Sequence, residues 1–136
     1  MPQEIDISYK NLHFKLNTEL ESLEILIDDQ NFSNQETYIT SVSILLECAL
    51  TIHPQYIIVN KLNSKFEIIL GLYSFTQKNI IAPLKSDGIR KMIFLIKEED
   101  LERYKKLEIM EPFIKGLMSK EDAIKWITEC SLNQTE

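Results

Sequence analysis

The chain has 136 residues, the length of one ordinary domain, and 44% of them are apolar, which is enough to build a buried core. With 15 basic and 21 acidic residues the net charge is −6, which argues against the basic surface that nucleic-acid binding needs. Cys48 and Cys130 are too few for a disulfide framework, so we expect reduced thiols. Residues 1–10 contain no apolar run, so we expect neither a signal peptide nor stable membrane insertion, and a cytoplasmic protein.

The first half of the chain predicts an antiparallel hairpin followed by a helix. Leu12–Leu16 and Leu23–Ile27 alternate apolar and polar residues, as half-buried strands do, and Ile5–Ile7 is expected to extend the first strand. Ser33 and Glu36 have the spacing of a capping box, which predicts a helix to about Thr51. Its inner stripe is expected to contain Ile39, Val42, Leu46, Ala49 and Leu50. The additional apolar residues of this helix, which would support a homodimer face, are Tyr38, Ile44 and Leu45.

Strands and helices alternate in the second half. Two continuous apolar runs, Tyr56–Val59 and Lys91–Ile96, predict strands buried on both faces. His53, just before Pro54, is expected to be extended. A helix is predicted from Ser64 to about Lys85, with a distortion near Pro83 and a stop at Gly88. A second helix is predicted from Glu98 to about Ile109, followed by a weak edge strand at Pro112–Lys115. The last predicted helix begins at Ser119 and packs on the sheet through Trp126.

This order predicts an α/β fold with a single mixed β-sheet. An N-terminal antiparallel hairpin precedes alternating strands and helices, and such alternation implies parallel neighbouring strands with helices on the sheet. We expect one domain over residues 1–136, with residues 1–8 and 130–136 frayed.

No residue pattern predicts a catalytic, cofactor or metal site. His13 and His53 lack partners at catalytic or metal-ligand spacing, and the glycines form no phosphate-binding loop. The acidic run Glu98–Asp100 is explained by its place at a helix start, where the helix dipole favours negative charge. We therefore expect a protein that is not an enzyme.

The loop after the Tyr56–Val59 strand is the candidate binding site, because open α/β sheets bind ligands at the carboxyl ends of their strands. Ser64 and Glu67 also have capping-box spacing, so a structural role for this serine is the favoured alternative. The loop would hold a small anion at a helix N-terminus, or would only keep the surface polar. Its candidate residues are Asn60, Lys61, Asn63, Ser64, Lys65 and Glu67.

Five segments carry a family resemblance: Tyr56–Asn60, Phe66–Ile68, Asn79–Pro83, Gly88–Lys91 and Ser119–Trp126. They resemble a STAS-type domain, the fold of bacterial anti-sigma-factor antagonists, and most closely the STAS-like proteins of Bacteroidetes. The resemblance implies a regulatory module that changes partners when a serine is phosphorylated. The family's phosphoserine motif aligns with Ile68–Gly71, which has no residue that can be phosphorylated, so the switch is expected to be missing.

Two functions follow as hypotheses. The first is a non-catalytic regulatory or protein-interaction module that binds a protein partner or forms a homodimer. The alternative is a domain that binds a small molecule or lipid through the loop after Val59. A deep apolar cavity below that loop would favour the alternative, and a filled core would favour the interaction module.

Overall fold

The computed structural model describes residues 4–29, 33–64 and 74–133, which form an α/β fold with one six-stranded mixed sheet. The strands lie in sequence order, with antiparallel pairing among the first three and parallel pairing from the third to the sixth. The fold class predicted from the sequence is confirmed. The strands are β1 (Glu4–Tyr9), β2 (Leu12–Asn17), β3 (Ser22–Asp28), β4 (Tyr56–Asn63), β5 (Lys91–Leu95) and β6 (Ile114–Leu117).

Helices cover both faces of this sheet. They are α1 (Gln35–Ile52), a π-helical segment (Gln77–Ile81) that continues into α2 (Ala82–Ser86), a 3-10 turn (Glu98–Asp100) that continues into α3 (Leu101–Met110), and α4 (Lys120–Asn133). The larger core joins α1, α2 and α3 to one face of the sheet, while α4 packs on the opposite face over Ile58 and Ile93. No helix in the described ranges has both the length and the apolar character needed to cross a bilayer.

The N-terminal strand is the main addition to the predicted order. Ile5–Ile7 was expected to extend the first strand, but it lies in β1, which pairs with β2 across the two-residue turn Lys10-Asn11. Both turn residues have positive φ, 50° and 69°, as a type I′ hairpin requires. Asparagine tolerates this conformation, whereas lysine rarely adopts it, so the turn was not recognised.

Parts of the two segments that were expected to fray, residues 4–8 and 130–133, have regular secondary structure. Residues 4–8, expected to fray, belong to a fully paired strand, because cross-strand pairing with β2 begins at Glu4. At the other end α4 continues to Asn133, beyond the expected start of fraying at residue 130.

The ends of α1 differ from the predicted ones. The capping box is formed by Asn34 and Thr37 rather than by Ser33 and Glu36: Thr37 N–H donates to Asn34 Oδ1 (2.9 Å), and Asn34 N–H donates to Thr37 Oγ1 (3.0 Å). His53 is left-handed rather than extended (φ 57°, ψ 53°), and its N–H donates to the Ala49 carbonyl at 2.8 Å. A left-handed residue at this position ends a helix by binding one of its last free carbonyls.

The inner stripe of α1 is rotated relative to the prediction. Tyr38 and Leu45, expected as surplus apolar residues, lie in the core with 1% exposure each, whereas Leu50 is 37% exposed. Two of the three surplus apolar residues of this helix therefore pack inside the domain, and the third, Ile44, is partly buried.

The segment around Pro83 confirms the expected distortion and stop. The Ala82 N–H donates to the Gln77 carbonyl, a π-helical bond just before the proline, whose ring nitrogen has no hydrogen to donate. After α2, Gly88 adopts a φ of 91° and Ile89 N–H returns to the Leu84 carbonyl at 3.2 Å. This is the glycine stop that the sequence predicted.

Three further predictions concern the second half of the chain. The weak edge strand exists as β6, shifted two residues toward the C-terminus. Ser119 caps α4, because its Oγ accepts the Asp122 N–H at 3.1 Å. Trp126 docks this helix on the sheet through an edge-to-face contact with Tyr56, with ring centroids 6.3 Å apart.

Candidate functional site

The predicted binding loop is largely a strand. Asn60, Lys61 and Asn63 are the last residues of β4, and Ser64 follows it directly. Lys65 and Glu67 lie outside the described residues, as does the Ile68–Gly71 segment that aligns with the family's phosphoserine motif. Since successive side chains of a strand point to opposite faces, Asn60 and Lys61 do not converge on one mouth.

Lys61 points into the larger core, where it is 4% exposed. Its Nζ lies 3.4 Å from the Tyr104 hydroxyl and 5.6 Å from the centre of the same ring. Ser64 is also buried, and its N–H donates to the Lys61 carbonyl at 3.1 Å. The carboxyl end of β4 therefore holds a buried cation against an aromatic face, an arrangement that stabilises an ammonium group away from water.

Two buried tyrosines lie in the same core. The Tyr38 hydroxyl is hydrogen-bonded to Thr76 Oγ1. Burial outweighs the hydrogen bond to Thr76, which acts in the opposite direction, and raises the pKa of Tyr38 to about 12. Burial also raises the pKa of Tyr104 well above its usual range. Both phenols are therefore protonated at neutral pH, which suits them to donate hydrogen bonds rather than to accept protons.

Asn60 points to the opposite face of the sheet, toward a buried carboxylate. Glu24, in β3, is only 2% exposed. Its Oε2 accepts the Asn60 amide at 3.0 Å, and its Oε1 lies 2.8 Å from Lys120 Nζ. Lys120 also pairs with Glu4. Burial lowers the pKa of the Lys120 ammonium, but Glu24 and Glu4 outweigh that effect and raise it. This cluster ties α4 to three strands.

The two edges of the sheet differ. At β6 the outward amides are occupied: Ile114 N–H donates to the Glu111 carbonyl at 3.0 Å, and Gly116 N–H donates to Glu108 Oε2 at 3.0 Å. Lys115 also pairs with Glu108 Oε1 at 3.4 Å. A carboxylate from α3 thus blocks this edge against a further strand.

At β1 the edge is open. Tyr9 and Leu12 close a two-residue turn and so form a hydrogen-bonded pair, which directs the backbone groups of Glu4, Asp6 and Ser8 away from β2. Within residues 4–29, 33–64 and 74–133, nothing bonds these outward backbone groups.

An apolar groove borders the open edge. It has a volume of about 280 Å³ and lies between β1 and the second half of α1; its lining residues include Ile7, Tyr9, Cys48 and Ile52. Ile5, the neighbouring residue on the same side of β1, is 49% exposed. One wall is fixed by Glu47, which accepts the Tyr9 hydroxyl at 2.7 Å and pairs with Lys10 at 3.2 Å. The Tyr9 bond and then Lys10 lower the pKa of Glu47.

The remaining predicted positions do not assemble a site. His13 is exposed beside Ser8 Oγ at 3.2 Å, and His53 pairs with Asp87 at 2.7 Å. Among the described residues, no group of three or more acidic, histidine or cysteine side chains has a metal-binding arrangement. Cys48 and Cys130 are free thiols, and burial raises the pKa of Cys48.

Comparison with known proteins adds no relative. The chain matches no protein-family model, no curated protein and no solved structure.

Proposed function

We propose that the protein is a non-catalytic regulatory module of STAS-like type that acts by binding another polypeptide at the β1 edge. The observation that carries the proposal is the difference between the two edges: β6 is blocked by Glu108, while the outward backbone groups of β1 are unbonded within the described residues. An open strand edge is a template for a partner strand, and proteins commonly block edges that are not used.

The groove beside β1 supports the same function. Partner strands gain affinity from main-chain hydrogen bonds and specificity from pockets that take alternate side chains. Here the open edge offers backbone groups for main-chain hydrogen bonds, and the groove lined by Ile7, Tyr9 and Ile52 offers a pocket for side chains. A strand paired with β1 would place every second side chain over that groove.

Site-specific photo-crosslinking in the native host tests this proposal. A benzoylphenylalanine probe at Asp6, on the open edge, should form an adduct that Ile5→Lys suppresses. The matched probe at Glu102, an exposed acidic residue of α3, should form none. No adduct at Asp6, or equal adducts at both positions, would count against recognition at β1.

A second candidate function uses the carboxyl end of β4. The observation that favours it is the buried Lys61, which lies with Ser64 at the strand end where open α/β sheets bind ligands. The ligand would be a small anion or the head group of a lipid. Native mass spectrometry of the protein purified from its host should then show a bound small molecule that Lys61→Met removes. A ligand-free protein, or a ligand retained by the variant, would contradict this second function.

A further inference from the structure

The strand β1 is complementary to itself. The backbone groups of Asp6 and Ser8 point away from β2, toward the open edge. The side chains of Ile5, Ile7 and Tyr9 lie together on the face of the sheet that borders the groove. An antiparallel copy related by a two-fold axis at Ile7 places Asp6 opposite Ser8 of the second copy and Ile5 opposite Tyr9. The outward groups then form the hydrogen-bonded pairs, and the apolar residues face one another.

We propose that the partner at this edge is a second copy of the chain, joined through antiparallel β1–β1 pairing centred on Ile7. This inference rests on the proposed function and names its partner. The exposed Ile5 of each copy enters the groove of the other beside Tyr9, so the most exposed apolar side chain of the strand is covered by the pairing. The interface is isologous, as a two-fold axis requires.

Charge and burial select this register. Centring on Ile7 sets Asp6 opposite Ser8 of the other copy, so no like charges face each other across the strand pair. Centring on Asp6 instead would set two Asp6 carboxylates directly opposite each other, which destabilises a strand pair. Centring on Ser8 would leave Ile5 beyond the paired region and exposed. The Ile7 register alone among the three covers Ile5 and avoids like charges.

Light scattering on the purified full-length chain tests the pairing. The wild type should have twice the mass of one chain, and Ile5→Lys should convert it to a folded monomer by raising the dissociation constant at least about 100-fold. Ile109→Lys is the matched control, since Ile109 is 82% exposed on α3, away from β1, and should leave the dimer intact. Circular dichroism verifies that both variants are folded.

Disulfide trapping tests the register independently, in chains whose native cysteines are replaced by alanine. Ile7→Cys should crosslink two copies on oxidation, because residues directly opposite across a strand pair have Cα atoms within disulfide range. Ile5→Cys should not crosslink to itself, because the two copies of residue 5 lie four residues apart along the strands, about 13 Å.

A wild type that is monomeric up to about 1 mM would overturn the self-pairing, because a physiologically useful dimer must be tighter than that. A dimer unaffected by Ile5→Lys, or a crosslink at residue 5 and not at residue 7, would also overturn it. A monomer whose Asp6 probe still captures a different protein would refute self-pairing alone. A monomer with no adduct at Asp6 would refute the proposed function as well.

Discussion

Lys120 in α4 lies 2.8 Å from Oε1 of Glu24 in β3, a carboxylate that is only 2% exposed. The pair joins the last helix to a strand near the start of the chain. No hydrogen bond of good geometry reaches this oxygen in the described residues, so Lys120 is the group that compensates its charge. A buried carboxylate that loses its cation is costly, because neither water nor another charge replaces it.

Lys120→Met is therefore expected to lower the free energy of unfolding by about 2–4 kcal/mol, toward the lower part of the range for broken buried pairs because Lys120 is partly exposed. The double variant Lys120→Met with Glu24→Gln should recover most of the loss, since the remaining amide carries no charge. Urea denaturation measures both. Lys125→Met, at an exposed site on the same helix, should change stability by less than about 0.5 kcal/mol. An equal loss in the single and double variants would contradict the charge argument.

Glu111 should make stability depend on acid pH. Burial raises its pKa, but the Phe113 N–H at 3.2 Å and Lys85 at 3.2 Å outweigh burial, so the folded-state pKa is below its ordinary value of 4.5. A group whose pKa is depressed on folding stabilises the fold above its unfolded pKa, and that stabilisation disappears as pH falls through the folded value. Glu111→Gln is expected to lower the free energy of unfolding by about 1–2 kcal/mol at pH 7. The stability of this variant should also depend less on pH below pH 4.5 than that of the wild type. Thermal unfolding between pH 3 and 7 measures this, and parallel pH profiles for the two proteins would contradict it.

Two glycines are expected to resist substitution for different reasons. A Cβ at Gly116 would lie 2.9 Å from Tyr104 Cβ and 3.1 Å from Ile96 Cδ1, so Gly116→Ala forces α3 to shift and should cost about 1–3 kcal/mol. At Gly88 a Cβ meets nothing within 4 Å, but the φ of 91° should make Gly88→Ala cost about 1–2 kcal/mol.

Asparagine separates the two causes, because it tolerates left-handed backbone better than alanine but is larger. Gly88→Asn should be milder than Gly88→Ala, and Gly116→Asn should be worse than Gly116→Ala. Denaturant midpoints measure all four variants, and the reverse order at either position would refute the assigned cause.

The helix cap provides a matched test between two adjacent residues. Asn34→Ala removes the acceptor of the Thr37 N–H bond and should cost about 1 kcal/mol. Ser33→Ala removes only an exposed hydroxyl 3.3 Å from Thr37 Oγ1, so its free energy of unfolding should differ from that of the wild type by less than about 0.5 kcal/mol. Chemical denaturation of the two variants compares them. A larger loss for Ser33→Ala would place the cap where the sequence pattern predicted it.

Local signals explain which parts of the fold were predictable. The apolar runs that became β4 and β5, the Gly88 stop and the Ser119 cap each depend on residues close together in the chain. The capping box was misplaced by one residue because Asn34 and Thr37 offer the same reciprocal bonds as Ser33 and Glu36 would.

The candidate site was less predictable because its features depend on residues far apart in sequence. Asn60 and Lys61 were predicted to lie in one loop because polar residues usually end a strand. Instead, each is hydrogen-bonded inside the domain to a residue distant in sequence: Asn60 to Glu24, and Lys61 to Tyr104. The open edge was missed because the turn before β2 contains no glycine. No pattern in the sequence indicates that Glu108 blocks β6, since that contact is set by how α3 packs beside the strand.

The blocked edge at β6 also limits how far copies of this protein can assemble. If both edges of a sheet accept strands, each added copy offers a new end, and the chains grow into fibres. In the proposed β1–β1 dimer, both ends of the combined sheet are β6 edges whose outward amides are already bonded to Glu111 and Glu108. Growth by edge pairing would therefore terminate at two copies, and the contact that closes one side of the sheet would prevent polymerisation of that dimer.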